Sequence, residues 1–304
     1  MGISPPGSNR RDLMKQQNRM MIEVACDIAK RTGSNGVLLY ADMIQDYEAL
    51  AKIGQEKQVD LILAIKDLTS FQEASLTFSK VLRIPNVPLG RINQIKMAII
   101  QALSKGLVKK GDKWVSLSGI PQSKVLDNLL ILEFGIEFEM IASSDLPVIS
   151  EIVMPEVFEA LLTLALEIST EGREGRKTVG TIFVLGDHED VLKFSHPMVI
   201  NPFQGYPEEE RNILDHRLKE TVKEFASIDG AFIFRDDGVI LAAGRHLDAS
   251  GESIEIPLGL GSRHRAAAGI TSLTKALAIV VSEGTGGVRI FHHGKIFMEL
   301  EKGE

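Results

Sequence analysis

The chain has a single cysteine among its 304 residues, and it has no hydrophobic run long enough to cross a bilayer. One thiol cannot form an intramolecular disulfide or a cysteine-rich zinc site. Cys26 lies within an apolar pattern, so we expect it to be a buried structural thiol. These features fit a reducing, cytoplasmic setting. A membrane span needs about 18 consecutive apolar residues, so we also expect no membrane partner.

A basic excess is also lacking, because 34 Lys and Arg residues stand against 41 Asp and Glu residues. The formal net charge of −7 argues against a nucleic-acid or membrane-surface partner, although it leaves room for a local basic pocket. The length suggests two domains, each with its own core. Residues 1–12 have no apolar centre of the kind a signal peptide needs, and we expect a disordered tail there.

Residues 13–144 alternate short apolar strands with helical patterns. This alternation implies crossover connections and a mostly parallel sheet in a three-layer α/β/α domain. At the predicted strand end Ser116-Leu117-Ser118-Gly119, a small-anion site is one interpretation. A plain turn is favoured over it, since no Arg, Lys or second Gly converges there. The strands are predicted at residues 37–40, 61–65, 81–84, 114–117 and 138–141.

Residues 145–304 have a different pattern, which begins after the linker Asp145-Leu146-Pro147. Two β-rich runs joined by an Asp-Gly turn predict a hairpin at residues 232–244, and a second hairpin closes the chain. Consecutive hairpins indicate a mixed or largely antiparallel sheet flanked by helices. The helices are predicted at residues 157–169, 208–226 and 266–275.

Three polar segments lie at the ends of these predicted elements. Asp229 opens a strand, Ser282 and Glu283 follow another, and residues 259–265 run Gly-Leu-Gly-Ser-Arg-His-Arg before an alanine-rich helix. Glycines, a helix N-terminus and two arginines together suit phosphate oxygens. Taken singly, each segment also fits an ordinary turn or a loop-to-helix junction.

The order of these segments resembles the signature of diadenylate cyclases, which join two ATP molecules into cyclic di-AMP. The resemblance rests on Asp229-Gly230-Ala231, on Gly-Ser-Arg-His-Arg-Ala-Ala at residues 261–267, and on Val-Val-Ser-Glu at residues 280–283. It covers roughly residues 155–300 and points to the soluble type found in archaea. Residues 13–144, and 91–119 in particular, resemble the C-terminal domain of pyruvate kinase. That likeness implies a regulatory or interaction module.

The cyclase resemblance implies a role for each matching residue. Asp229 would activate the attacking 3′-hydroxyl, directly or by holding Mn²⁺ or Mg²⁺, with Glu283 as a weaker metal ligand. Arg263, His264 and Arg265 would hold the triphosphate and stabilise the departing pyrophosphate. The implied ATP-binding residues are Gly230, Ala231, Leu247, Gly261, Ser262, Arg263, His264, Arg265, Ala266 and Ser282.

The reaction has a two-fold symmetric product, which implies that two copies of the site face each other in a homodimer. The sequence departs from some relatives at two positions, Ile228 and Gly284, which leaves the metal ligands open. One alternative is a catalytically inactive sensor of ATP or a cyclic dinucleotide. The other is a metabolic enzyme whose active site lies in residues 13–144.

Overall fold

The computed structural model describes residues 10–120, 123–134, 149–171, 179–248 and 259–301. These residues fall into two compact units, divided between residues 134 and 149. The boundary predicted at residue 145 and the strand predicted at residues 138–141 lie outside the described residues. So do residues 1–9 of the predicted tail, whereas Arg10, Arg11 and Asp12 already belong to the first helix.

The N-terminal unit is built on a five-stranded sheet with the order β3-β2-β1-β4-β5. Strands β1 to β4 are parallel, and β5 pairs antiparallel with β4. The chain therefore steps outward from β1 to β3 and returns across the sheet to β4. The elements are α1 (Arg10–Thr32), β1 (Gly36–Tyr40), α2 (Tyr47–Lys57), β2 (Asp60–Ile65), α3 (Leu68–Thr77), β3 (Val81–Arg83), α4 (Arg91–Ser104), β4 (Lys113–Ile120) and β5 (Val125–Glu133).

The mostly parallel sheet is confirmed, and so is the burial of Cys26. Right-handed crossovers place α4 on the opposite face from α2 and α3, because the chain reverses direction across the sheet after β3. The strand β5 was not predicted, since polar Asp127 and Asn128 interrupt its apolar pattern at the sheet edge. Ser116 and Ser118 are wholly buried inside β4, so the predicted strand-end turn at residues 116–119 was wrong, and the disfavoured anion site has no strand end there.

The C-terminal unit contains a seven-stranded sheet with the order β12-β11-β10-β6-β8-β9-β7. Only β6 and β8 pair in parallel; the other neighbours are antiparallel, which confirms the predicted mixed sheet. Its elements are α5 (Ile149–Ile152), α6 (Pro155–Glu171), β6 (Thr181–Leu185), α7 (His188–Lys193), β7 (Ser195–Pro197), α8 (Leu218–Phe225), β8 (Ala231–Phe234), β9 (Ile240–Leu247), α9 (Ser262–Leu273), β10 (Leu277–Val281), β11 (Val288–His292) and β12 (Lys295–Leu300).

The two faces of this sheet bury different side chains. Since residues alternate along a strand, Ile182 and Val184 of β6 face the alanine side of α9, and Phe183 points to the other face. There Phe183 makes edge-to-face contacts with Phe232 and Phe234, with ring centroids 5.5 and 5.8 Å apart. The aromatic cluster therefore supports the sheet from the side opposite α9.

The helix predicted at residues 208–226 is broken in two. A short 3-10 helix, Glu208–Arg211, is followed by turns, and α8 begins only at Leu218. Asn212 causes the break: its side chain donates to the carbonyl of Asp237 and accepts from the N–H of Leu214. Asp215 likewise accepts from the N–H of Arg217. Such side-chain bonds compete with helical hydrogen bonds.

We expect Phe183→Ala to lower the free energy of unfolding by about 3–5 kcal/mol, because it empties the centre of the aromatic cluster. Urea denaturation followed by far-ultraviolet circular dichroism measures this loss. Phe194→Ala is the matched control, since Phe194 is 38% exposed and its removal leaves a smaller cavity. Equal losses in the two variants would contradict the proposed importance of the cluster.

Candidate active site

The N-terminus of α9 forms the centre of the candidate site. The helix begins at Ser262, four residues before the predicted start, so Ser262, Arg263, His264 and Arg265 make up its first turn. Gly261 is the N-cap and has no side chain with which to bond the first N–H groups. Gly259 has a φ of +95°, a conformation that favours glycine. No N-cap side chain therefore covers the N–H groups of Ser262 and Arg263, whereas those of His264 and Arg265 donate to the carbonyl of Gly261.

A cavity of about 520 Å³ opens at this helix end. It lies between the end of β9 and the first turn of α9, and its size is typical of small-molecule sites. Five residues of the predicted ATP site meet in it. The lining residues are His246, Leu247, Asp248, Leu260, Gly261, Ser262, Arg265 and Ala266.

Three features of this cavity suit an anion, although its lining also contains one carboxylate, Asp248. The N-terminal end of a helix carries a partial positive charge, and its first N–H groups point outward as donors. Arg265 adds a permanent positive charge on an exposed side chain of the same turn. Ser262 adds a hydroxyl group at the cavity wall. The wall can therefore bind a group with several oxygens, such as a phosphate chain.

A cluster of charged side chains extends from the next position of the helix. The Arg263 guanidinium lies between two carboxylates: its Nη1 donates to Glu283 Oε2 at 2.9 Å, and its Nη2 lies 3.4 Å from Asp229 Oδ1. The side chains of Asp229 and Glu283 are 72% and 56% exposed. Both predicted metal ligands are therefore at the surface, on either side of one arginine.

The strand β8 places Asp229 through Gly230, whose φ is +106°. A Cβ atom at Gly230 would lie 2.6 Å from the carbonyl carbon of Gly244, so only glycine allows this close approach of the hairpin strands. The Gly230 N–H also donates to Asp229 Oδ1 at 3.0 Å. Ala231 is wholly buried and pairs with Arg245. Gly230 and Ala231 thus hold Asp229 at the mouth of the strand.

Ser282 shapes the turn that carries Glu283. Its backbone N–H donates to the carbonyl of Gly287 and its carbonyl accepts from the N–H of Gly286, both at 2.9 Å. The side chain is buried, and its Oγ lies 3.4 Å from the N–H of Thr285. Ser282 therefore lies beside the charged cluster and is not among the residues that line the cavity.

His264 points away from the cavity and is only 5% exposed. Its Nε2 lies 3.1 Å from Nη1 of Arg289, which also bonds Glu299. Because an arginine only donates, His264 must accept through Nε2 and carry its proton on Nδ1. Burial, reinforced by the charge of Arg289, lowers the pKa of His264 to about 4. The imidazole is neutral at physiological pH, which favours a structural role over a direct phosphate contact.

Several neighbours of the site were not predicted from the sequence. His246 and Asp248 line the cavity on either side of Leu247, and Asp248 pairs with His196 at 2.8 Å. Gly180, just before β6, lies behind the charged cluster: a Cβ there would be 2.7 Å from Nη1 of Arg263. The position of His246 next to Leu247 was a usable signal. No sequence signal pointed to Gly180, because the residue it lies against, Arg263, belongs to a helix far along the chain.

The described residues contain no group of three or more Cys, His, Asp or Glu side chains placed to hold a metal ion. Asp229 and Glu283 nevertheless offer two exposed carboxylates near a cavity suited to phosphates. Mg²⁺ and Mn²⁺ are commonly held by one or two carboxylates together with substrate phosphates. The donor set therefore fits a metal that arrives with a nucleotide. No helix in the described part of the chain is long and apolar enough to cross a membrane.

Comparison with known families divides the chain in the same way as the two units. Residues 167–296 match the family described as DisA bacterial checkpoint controller nucleotide-binding. Residues 17–140 match the family described as probable sensor domain DacZ_P. These matches do not test the likeness of residues 13–144 to the C-terminal domain of pyruvate kinase, which stays a prediction.

Two solved structures resemble the chain over about half its length. One is a hypothetical membrane spanning protein from Bacillus cereus, with 21% identity and a TM-score of 0.37 over 49% of this chain and 65% of that chain. The other is a double-cysteine variant of DacA from Staphylococcus aureus. It has 23% identity and a TM-score of 0.32 over 48% of this chain and 88% of that chain.

Curated relatives extend the similarity to nearly the whole chain. The diadenylate cyclase of Methanocaldococcus jannaschii is 32% identical over 299 residues, which cover 92% of this chain and 94% of that protein. The diadenylate cyclase of Haloferax volcanii is 30% identical over 88% of this chain and 93% of its own length. Cyclic di-AMP synthase CdaA of Bacillus subtilis is 47% identical over 72 residues, 24% of this chain and 26% of that protein. The chain belongs to the diadenylate cyclase family of nucleotidyltransferases.

Proposed function

We propose that the chain condenses two ATP molecules into cyclic di-AMP and releases two pyrophosphates. The observation that carries this proposal is the convergence of Leu247, Gly261, Ser262, Arg265 and Ala266 on one cavity at the start of α9. A helix N-terminus with an arginine in its first turn suits a phosphate chain. The carboxylate of Asp229 forms an ion pair with Arg263, which belongs to the same first turn of α9 as Ser262 and Arg265.

In this arrangement the cavity holds one ATP. Ser262, Arg265 and the first N–H groups of α9 bind phosphate oxygens, and Arg263 completes the set by turning from the carboxylates to the phosphates. Gly230 and Leu247 contact the nucleoside, and the ring of His246 at the cavity wall gives the base a surface on which to stack. Each basic group is then placed where negative charge grows on the leaving pyrophosphate.

Asp229 is the residue that acts on the attacking hydroxyl. The 3′-oxygen of one ATP forms a bond to the α-phosphorus of the other, the bond from that phosphorus to pyrophosphate breaks, and the hydroxyl proton passes to a base. Asp229 is an exposed carboxylate at the mouth of β8 and can take this role. A bound Mn²⁺ or Mg²⁺, held by Asp229 and Glu283 with phosphate oxygens, would lower the pKa of the hydroxyl and neutralise phosphate charge.

The reaction also requires a partner. Each chain offers one such cavity for one triphosphate, and the product contains two equivalent phosphodiester bonds. Two chains related by a two-fold axis would bring their cavities face to face, so that each supplies one ATP. A homodimer is therefore the smallest active assembly, and a monomer binds ATP without converting it.

A catalytically inactive sensor of ATP or a cyclic dinucleotide would share the cavity but would not need Asp229 next to it. A metabolic enzyme with its active site in the N-terminal unit would need neither this cavity nor Asp229. The first test is incubation of the chain with ATP and Mn²⁺, followed by identification of the nucleotide product. Recovery of only ADP or AMP would overturn the cyclase function.

We expect Asp229→Asn to reduce cyclic di-AMP formation by about 10²–10⁴-fold, because the amide cannot accept the hydroxyl proton and, being uncharged, is a weaker ligand for a cation. ATP binding, measured by calorimetry, should be largely kept. Asp236→Asn, on an exposed turn of the same hairpin, is the control and should keep full activity. Unchanged turnover in Asp229→Asn would refute the proposed role of Asp229.

The position of Arg263 predicts competition between this arginine and a metal ion. Without nucleotide, its guanidinium neutralises both carboxylates. We expect Arg263→Gln to bind Mn²⁺ about threefold to tenfold more tightly than the natural chain in the absence of ATP, as measured by electron paramagnetic resonance. Arg217→Gln, which breaks an ion pair elsewhere, should leave Mn²⁺ affinity unchanged. Equal affinities for all three proteins would rule the competition out.

We propose that His264 is a positioning residue, which predicts a pH dependence of stability. Its pKa is about 4 in the folded chain and about 6.5 when unfolded, so the unfolded chain binds an extra proton between these values. Stability should therefore fall as the pH drops from 6.5 to 4, by at most about 3 kcal/mol. The charged groups facing the ring are Arg289, Glu299 and Arg263.

Urea denaturation at a series of pH values tests this prediction. His264→Gln keeps a hydrogen-bond acceptor but has no titrating ring, so most of the fall in unfolding free energy between pH 6.5 and pH 4 should disappear. His216→Gln, at a side chain that is 94% exposed, should retain it. If His264→Gln lost as much stability between pH 6.5 and pH 4 as the natural chain, groups other than His264 would be responsible for the loss.

A further inference from the structure

The N-terminal sheet reverses its direction of winding between two neighbouring strands. From β1 the chain moves to β2 and β3, and it then returns to place β4 on the other side of β1. In open α/β sheets, ligands bind beyond the carboxyl ends of the strands at this point of reversal. In this sheet, that point lies beyond Tyr40 at the end of β1 and Ile120 at the end of β4.

A cavity of about 380 Å³ lies at that place. The loop after β1 supplies Met43 and Gln45, and the turn after β4 supplies Lys124. The third wall is the N-terminal half of α1, which contributes Met14, Lys15 and Asn18. The volume falls within the range of sites for small molecules.

Asn18 ties the walls of this cavity together. The side chain is buried; its Nδ2 donates to the carbonyl of Lys124 at 3.0 Å, and its Oδ1 accepts from the N–H of Leu126 at 2.8 Å. One bond joins α1 to the turn between β4 and β5, and the other joins it to the start of β5. One buried amide thereby fixes the backbone that carries Lys124.

Lys124 itself has a left-handed backbone conformation, with φ of +53°. Glycine would adopt this conformation without strain, whereas a lysine pays a conformational cost there. A left-handed residue is also common in the tight turn of a β-hairpin, and Gln58, Asp187 and His293 adopt one elsewhere in the described part of the chain. The conformation fixes where the turn presents Lys124 at the cavity.

The charges at the cavity have one sign. Neither Lys15 nor Lys124 forms an ion pair in the described part of the chain. The β1 loop also carries two acidic residues outside the lining: Asp42 Oδ1 accepts from the N–H groups of Lys66 and Asp67 while its Oδ2 is buried, and Asp46 caps α2. Among the lining residues themselves, the charged side chains are two lysines, which lie beside two thioether side chains.

We propose that this cavity binds a small organic anion, whose charged group is held by Lys15 and Lys124 and whose body packs against Met14 and Met43. A phosphate monoester and a dicarboxylate share this chemistry. Four of the six lining residues lie within residues 17–140, which match a probable sensor domain, and Met14 and Lys15 come just before that range. The proposed site is independent of the cyclase site, so either can fail without the other.

The methionines of the cavity allow a direct test on the full chain. The protein has 10 Met residues, and labelling them with ¹³C-methyl groups gives one NMR signal for each. The probes are glycerol 3-phosphate, malate and inorganic phosphate, each added to millimolar concentration. We expect saturable shifts at the signals of Met14 and Met43 with at least one organic probe.

The variants decide whether the lysines hold the anion. Lys15→Ala combined with Lys124→Ala should weaken the binding by at least about tenfold, whereas Lys110→Ala, an exposed lysine outside the cavity, should not change it. A response to glycerol 3-phosphate alone identifies a phosphate ligand, and a response to malate alone identifies a carboxylate. The proposal is overturned if no probe shifts these two signals, if only inorganic phosphate does, or if the double variant binds as well as the natural chain.

Discussion

The close packing of α9 on its sheet is the constraint on which the catalytic unit depends. Ala267 and Ala268 are wholly buried against the strands, and their small side chains let the helix approach closely. Alanine also favours the helix itself. A helix fixed in this way presents its first turn at one place only, so the N–H groups, Ser262 and Arg265 meet the end of β9 without further adjustment. The anion site follows from how the helix packs.

In the proposed mechanism, the same turn would link nucleotide binding to metal binding. Arg263 can neutralise Asp229 and Glu283 or it can bind phosphate oxygens, because one guanidinium has a limited number of donors. A phosphate chain that attracts the arginine would release two carboxylates for a cation, and that cation would in turn favour the phosphate chain. Such linkage is reciprocal by thermodynamic necessity. In that mechanism, an arginine between two acids would discourage a metal ion from binding before the substrate.

Sequence motifs located the candidate residues of this site but did not give their geometry. Short motifs identified Asp229 and the arginines, and hairpin signals located β8 and β9. Periodicity did not find the true start of α9, because Gly261 lacks the capping side chain that usually marks a helix N-terminus. Nor did it reveal that His264 faces inward to Arg289, since burial within the first turn depends on strands elsewhere in the chain. Tertiary contacts decided what local patterns left open.

The regulation of such an enzyme is constrained by the reaction itself. If each chain supplies one ATP-binding cavity, as proposed, turnover would depend on how often two chains pair, and hence on chain concentration. A ligand of the N-terminal unit would change turnover only through a difference in its affinity for paired and unpaired chains, or for two conformations of one chain. A ligand that bound both states with the same affinity would leave turnover unchanged, however tightly it bound. The strained Lys124 turn, tied to α1 through Asn18, is a place where such a difference could arise.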